Sequence, residues 1–259
     1  NQYDQHYAQY KAQIQFAFPE CVRLTPFIYD SSISLEPPLI EFESASKLFI
    51  QNRGTHVIYY NHILDRLGIR YDVFDVNHRY RDKMQIAEYL AMLHLPYQVN
   101  IQSLMENLGA GIIHFIPCQT FFRYLLNTEG WYYWEERQRG DVLLEKSIEL
   151  AEWYSPVLAD CFIYFDSWED LQIKYQHYNT STGKLELLEK KKNIIAKVRI
   201  LNEINIGKWM QLFHNFLRKR PTVVSMFYNV RRMDGDVSNW HRSEATYYKL
   251  VCEFIISLR

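Results

Sequence analysis

Two hydrogen-bonding side chains, Gln98 and Glu106, stand at either end of a Gln98-x7-Glu106 spacing inside LHLPYQVNIQSLMENLGAGIIHFIP, the run from Leu93 to Pro117. A carboxylate such as Glu106 accepts hydrogen bonds from hydroxyl groups. The Gln98 amide both donates and accepts but carries no charge and cannot act as a base. Asn100 is a good N-cap for a short helix from about Ile101 to Leu108 that stops at glycine. Its first turn leaves free backbone N–H groups beside the carboxyl end of the preceding strand, the place where open α/β sheets bind ligands and helix N-termini bind phosphate. Tyr97, Asn100 and Ser103 therefore read either as ligand contacts or as turn and capping residues. Arg53 follows an earlier strand and could meet a phosphate with bidentate hydrogen bonds, or could be an exposed turn arginine. Gly54 beside it allows close backbone approach and equally suits any turn. His94 and His114 lie in apolar runs, where a core imidazole is the default, with a role for His94 near a leaving group as the sharper reading. No HxH, CxxC or HExxH spacing supports a metal centre, and Asp234-Gly235-Asp236 reads as a turn.

The elements that must position these groups alternate. Strands are expected at Lys47–Gln51, Tyr71–Val76, Leu90–Leu95, Ile112–Ile116 and Cys161–Phe165. Helices are expected at His56–Leu67, Arg79–Tyr89, Ile101–Leu108, Thr120–Leu126 and Val142–Trp153, with another capped around Asp166–Ser167 and carrying acidic residues in its first turn. Such alternation calls for a parallel sheet with helices on both faces. Residues 131–141, WYYWEERQRGD, read as a loop. NTSTGK, from Asn179 to Lys184, reads as a turn followed by two helices, Leu185–Asn202 and Ile206–Leu217. Residues 1–45 form an irregular or extended lead-in, 46–217 the α/β domain, and 218–259 a linker and the start of a further domain, with a strand at Thr222–Asn229 and a helix at Ser243–Leu258.

Composition narrows the classes. Of 259 residues, 48% are hydrophobic and 16% aromatic, enough for a sizeable core. The formal net charge of −1 supplies no broad positive field, which argues against nucleic acid as a partner. Cys21, Cys118, Cys161 and Cys252 are widely spaced, consistent with a reducing compartment, and no apolar run approaches a membrane span. The start, NQYDQHYAQYKAQ, is not a signal peptide, so a cytoplasmic location is expected. There is no Gly-x-Gly-x-x-Gly after the first strand and no Walker-type Gly-Lys-Ser/Thr.

With Gly111 and the apolar run ending in Pro117, Gln98-x7-Glu106 resembles the nucleotide-sugar half of GT-B glycosyltransferases, where a Glu-x7-Glu motif runs into a glycine and an apolar strand. The resemblance implies a Rossmann-like α/β domain like the C-terminal domain of those enzymes, with a nucleotide-sugar donor as substrate and no metal or other cofactor. Glu106 matches the family's ribose-binding Glu, whereas Gln98 stands where the family has a sugar-contacting Glu. The implied donor-binding set is Arg53, Gly54, His94, Tyr97, Gln98, Asn100, Ser103 and Glu106, with no catalytic residue assigned. The family's acceptor half is a separate domain. The short segment before Lys47 implies that it lies in other domains of the same polypeptide, or that this chain uses a reduced one, and the acceptor is not identified. The competing reading is a non-catalytic Rossmann-like binding or scaffold module within a larger multidomain protein.

Overall fold

The computed structural model describes residues 45–51, 57–75, 83–97, 102–129 and 141–219. Its five strands are β1 (Leu48–Gln51), β2 (Tyr71–Phe74), β3 (Ala91–Leu93), β4 (His114–Pro117) and β5 (Ile163–Phe165). They form one sheet in the order β2-β1-β3-β4-β5, with every neighbouring pair parallel. In register, Ile50 faces Val73 on one side and Leu93 on the other, and Phe115 links Leu93 to Ile163. The helices are α1 (Val57–Arg66), α2 (Lys83–Ala87), α3 (Gln102–Gly109), α4 (Gln119–Glu129), α5 (Asp141–Glu149), α6 (Trp168–Tyr178) and α7 (Ser181–Lys219). This is an α/β, Rossmann-like sheet with helices on both faces.

The burial pattern shows why a parallel sheet forms. Strands β3 and β4 are buried at every position, as expected when helices cover both sides. Alternate residues feed two cores. Leu48, Ile50, Ala91, Leu93 and Phe115 pack with Tyr60, Ile63 and Leu64 of α1 and with Leu171 and Tyr175 of α6. On the opposite face Phe49, Phe74, Met92 and Ile112 pack with Ile86 of α2 and with Ala110, and Phe49 stacks on Phe74 at 4.7 Å. The first and last parts of the sheet are fastened by one phenol: Tyr175 Oη donates to Ser46 O at 2.8 Å and accepts from the Arg70 N–H at 3.3 Å.

Two helix ends follow from local chemistry. Helix α3 closes with Gly111 at φ +68°, where Gly111 N–H donates to Leu108 O at 2.9 Å and Ile112 N–H to Asn107 O at 3.0 Å. That pair of bonds is the Schellman arrangement, which favours glycine at its left-handed position. Helix α6 starts at Ser167, whose Oγ accepts from Asp170 N–H at 3.0 Å, while Asp170 Oδ2 accepts from Asp166 N–H at 3.0 Å.

The structure departs from the sequence reading after β5. The expected turn at Asn179–Lys184 shrinks to Asn179 and Thr180, and the two expected helices are one continuous helix, α7, of 39 residues. Thr180 caps it, its hydroxyl accepting from Gly183 N–H at 3.1 Å and donating to His177 O at 2.7 Å. Gly183 is present for closeness and not for a turn: a Cβ there would lie 2.2 Å from His177 O. Val142–Trp153 is likewise no single helix. Helix α5 ends at Glu149, and after an extended Ala151 a 3-10 turn, Glu152–Tyr154, carries Trp153 into the core. The expected strand from Cys161 starts at Ile163, because Ala159–Cys161 is another 3-10 turn. Asp141, placed in the expected loop, begins α5. The chain divides into two compact units, Asn1–Asn205 and Ile206–Arg259, the second described only through the end of α7.

Candidate ligand site at the strand ends

In this strand order the chain leaves β1 towards β2 on one side and later places β3 on the other. The carboxyl ends of β1 and β3 are therefore the switch point at which doubly wound sheets bind ligands. The strands end at Gln51 and Leu93, and their penultimate and last residues, Ile50 and Leu93, are register partners. The segments that follow these two ends are those that hold the expected site residues. Arg53, Gly54, Gln98 and Asn100 lie outside the described residues, as do the Asp234–Asp236 turn, Cys21 and Cys252. His94, Tyr97, Ser103 and Glu106 are described.

His94 directly follows β3, and its N–H donates to Phe115 O at 2.9 Å, extending the ladder by one bond. Its ring is buried, with its centre 6.2 Å from that of His114 and 6.0 Å from that of Trp153. It is thus a core residue at the carboxyl end of β3. Tyr97 is half-buried against the main core. Ser103, in the first turn of α3, is half-buried.

Glu106 lies on the second turn of α3. Its carboxylate forms a 3.2 Å ion pair with Lys83 of α2, and the two side chains are 25% and 35% exposed. The next residue, Asn107, turns inward and donates to Met92 Sδ at 3.4 Å. Lys83 is the residue that sequence reasoning missed. Its placement follows from the strand order: the β2–β3 and β3–β4 connections run the same way along the sheet, so right-handed crossovers set α2 and α3 on one face.

His114 is fully buried, and neither ring nitrogen has a hydrogen-bond partner. Burial, reinforced by His94, lowers its pKa from 6.5 to about 3. The Ile112 backbone pulls the other way, without forming a hydrogen bond of normal geometry. On the far side of the sheet centre, Tyr89 Oη donates to Asp72 at 2.9 Å and Lys47 pairs with the same carboxylate at 3.0 Å. Burial of Tyr89 and its bond to Asp72 raise the phenol pKa.

Among the described residues, no cluster of three or more His, Cys, Asp or Glu side chains could hold a metal ion, and Cys118 and Cys161 are free thiols. No helix among them is long and apolar enough to cross a membrane. The strand order defines a doubly wound α/β domain. No protein-family model, curated protein or solved structure matches the chain.

Proposed function

We propose that this domain binds a nucleotide-sugar donor at the carboxyl ends of β1 and β3 and serves in glycosyl transfer as the donor half of a GT-B-like enzyme in the cytoplasm. What supports the reading is the reversal of strand order between β1 and β3, because the segments bearing Arg53–Gly54 and Tyr97–Asn100 follow those two strand ends. In this scheme the first-turn amides of α3 and the Arg53 guanidinium neutralise the donor diphosphate as it becomes the leaving group. Glu106 accepts hydrogen bonds from the ribose hydroxyls, Gln98 and Tyr97 contact the sugar, and Asn100 and Ser103 hold the turn. His94 supports the end of β3 from the core.

Titration calorimetry with UDP-, GDP- and TDP-linked sugars tests the proposal. One nucleotide class is expected to bind, with Arg53→Ala weakening it at least about tenfold, the loss of one charge-assisted contact. Absence of binding by every member of the panel would overturn it. A second reading, a binding module without catalysis, is favoured by the Lys83–Glu106 pair, which gives the carboxylate a structural partner.

A further inference from the structure

Between α5 and β5 the chain runs as a strap, residues 151–162, whose only regular structure is the two 3-10 turns, Glu152–Tyr154 and Ala159–Cys161. Two of its rings border the imidazoles. Trp153 lies 6.0 Å from His94 and Phe162 lies 6.2 Å from His114, centre to centre, and the imidazoles are 6.2 Å apart. This interior is incompletely satisfied, because both ring nitrogens of His114 and the indole N–H of Trp153 are buried without partners. Such groups destabilise the closed arrangement that holds them.

Side-chain tethers keep the strap down. Tyr154 Oη donates to Pro117 O at 2.7 Å, and Tyr164 Oη donates to Trp153 O at 2.5 Å. From α7, Lys190 donates to Asp160 O at 2.6 Å and Lys197 pairs with the Asp160 carboxylate. Short turns held this way open at lower cost than paired strands.

We propose that the strap is an acid-operated cover: protonation of His114, which the strap borders, releases Trp153 and Phe162 from the imidazoles while the strands stay paired. A charged His114 has no hydrogen bond of normal geometry in this buried pocket to offset its desolvation. The closed form holds His114 at about 3 whereas an open form titrates near 6.5, so the closed form rejects a proton that the open form takes up. The preference for closure is complete above the open-form value. It weakens about tenfold per pH unit below it.

Neighbouring charges act outside this window or against opening. The hydrogen bond from Lys197 holds Asp160 below the usual carboxylate range, and burial raises the Tyr164 phenol. Burial lowers Lys190, so acid can only strengthen its hold on Asp160. Glu152, at the start of the strap, is tested by its own variant.

Cys161, fully buried in the strap, reports opening. Labelling by a dipyridyl disulfide, read by peptide mass spectrometry from about pH 7.5 to about pH 5, is compared with the same thiol in denatured chain. The expected result is a rise of about tenfold per pH unit below 6.5 with the circular dichroism unchanged, abolished in His114→Phe and retained in Glu152→Gln. The proposal is overturned if Cys161 stays protected, if labelling rises only with global unfolding, if His114→Phe rises like the parent, or if Glu152→Gln removes the rise. Should His114→Phe fail to fold, His114→Gln carries the test: loss of the rise supports the cover, and a rise like the parent's overturns it.

Discussion

Lys83 and Glu106 meet at 3.2 Å on the flank of the sheet, and their partial exposure limits what the pair contributes to stability to about 0.2–1 kcal/mol. That small value makes the role of the carboxylate separable from its structural contact. Glu106→Gln is expected to lower nucleotide-sugar affinity about tenfold, the effect of replacing a charged acceptor by a neutral one, while thermal denaturation shifts by only a few degrees. Lys83→Met breaks the same ion pair at similar cost to stability but keeps the carboxylate, so affinity should hold. If calorimetry shows both variants binding as the parent does, Glu106 is a structural residue and the ribose assignment is lost.

At the scale of elements, the join between α6 and α7 depends on one missing side chain. A methyl group at Gly183 would sit 2.2 Å from His177 O and 2.6 Å from Tyr178 Cα, both backbone atoms that cannot step aside. Gly183→Ala is expected to destabilise the domain by about 2 kcal/mol or more, measured by urea denaturation. An unchanged midpoint would mean that the two helices are not so closely joined in solution. Gly111→Ala is a useful comparison, since its added Cβ meets the flexible side chains of Ile195 and Lys191 at 2.7–2.9 Å. There the left-handed backbone itself supplies about 1–3 kcal/mol of the cost. In sequence both are glycines beside a helix end, and only the second terminates a helix.

Across the whole molecule, the alternation of buried runs such as LFIQ and HFIP with capped helical segments made the parallel sheet legible before any coordinates. Strands are punctuated by residues with strong local preferences, among them Gly111 and the Ser167 cap. What could not be read depends on contacts between distant segments. The placement of a single strand, β2, outside β1 is decided by packing on both faces of the sheet, and no local propensity encodes it. The start of α7 inside the expected turn rests on a Thr180 cap and a tight glycine that together look like a turn. At the site, the helix start and the spacing to Glu106 were visible, while Lys83 was hidden because its partner comes from a different crossover. Tyr175→Phe tests how strongly the domain depends on such distant contacts: losing the bonds to Ser46 and Arg70 should cost about 1–2 kcal/mol in urea unfolding. A cost near zero would show that both backbone groups find other partners. The same phenol bears on synthesis at the ribosome. A nascent chain just short of Tyr175 already carries all five strands, but the clasp across the near ends of β1 and β2 is not yet made, so a chaperone would find its target in the early half of the polypeptide until that turn of α6 emerges.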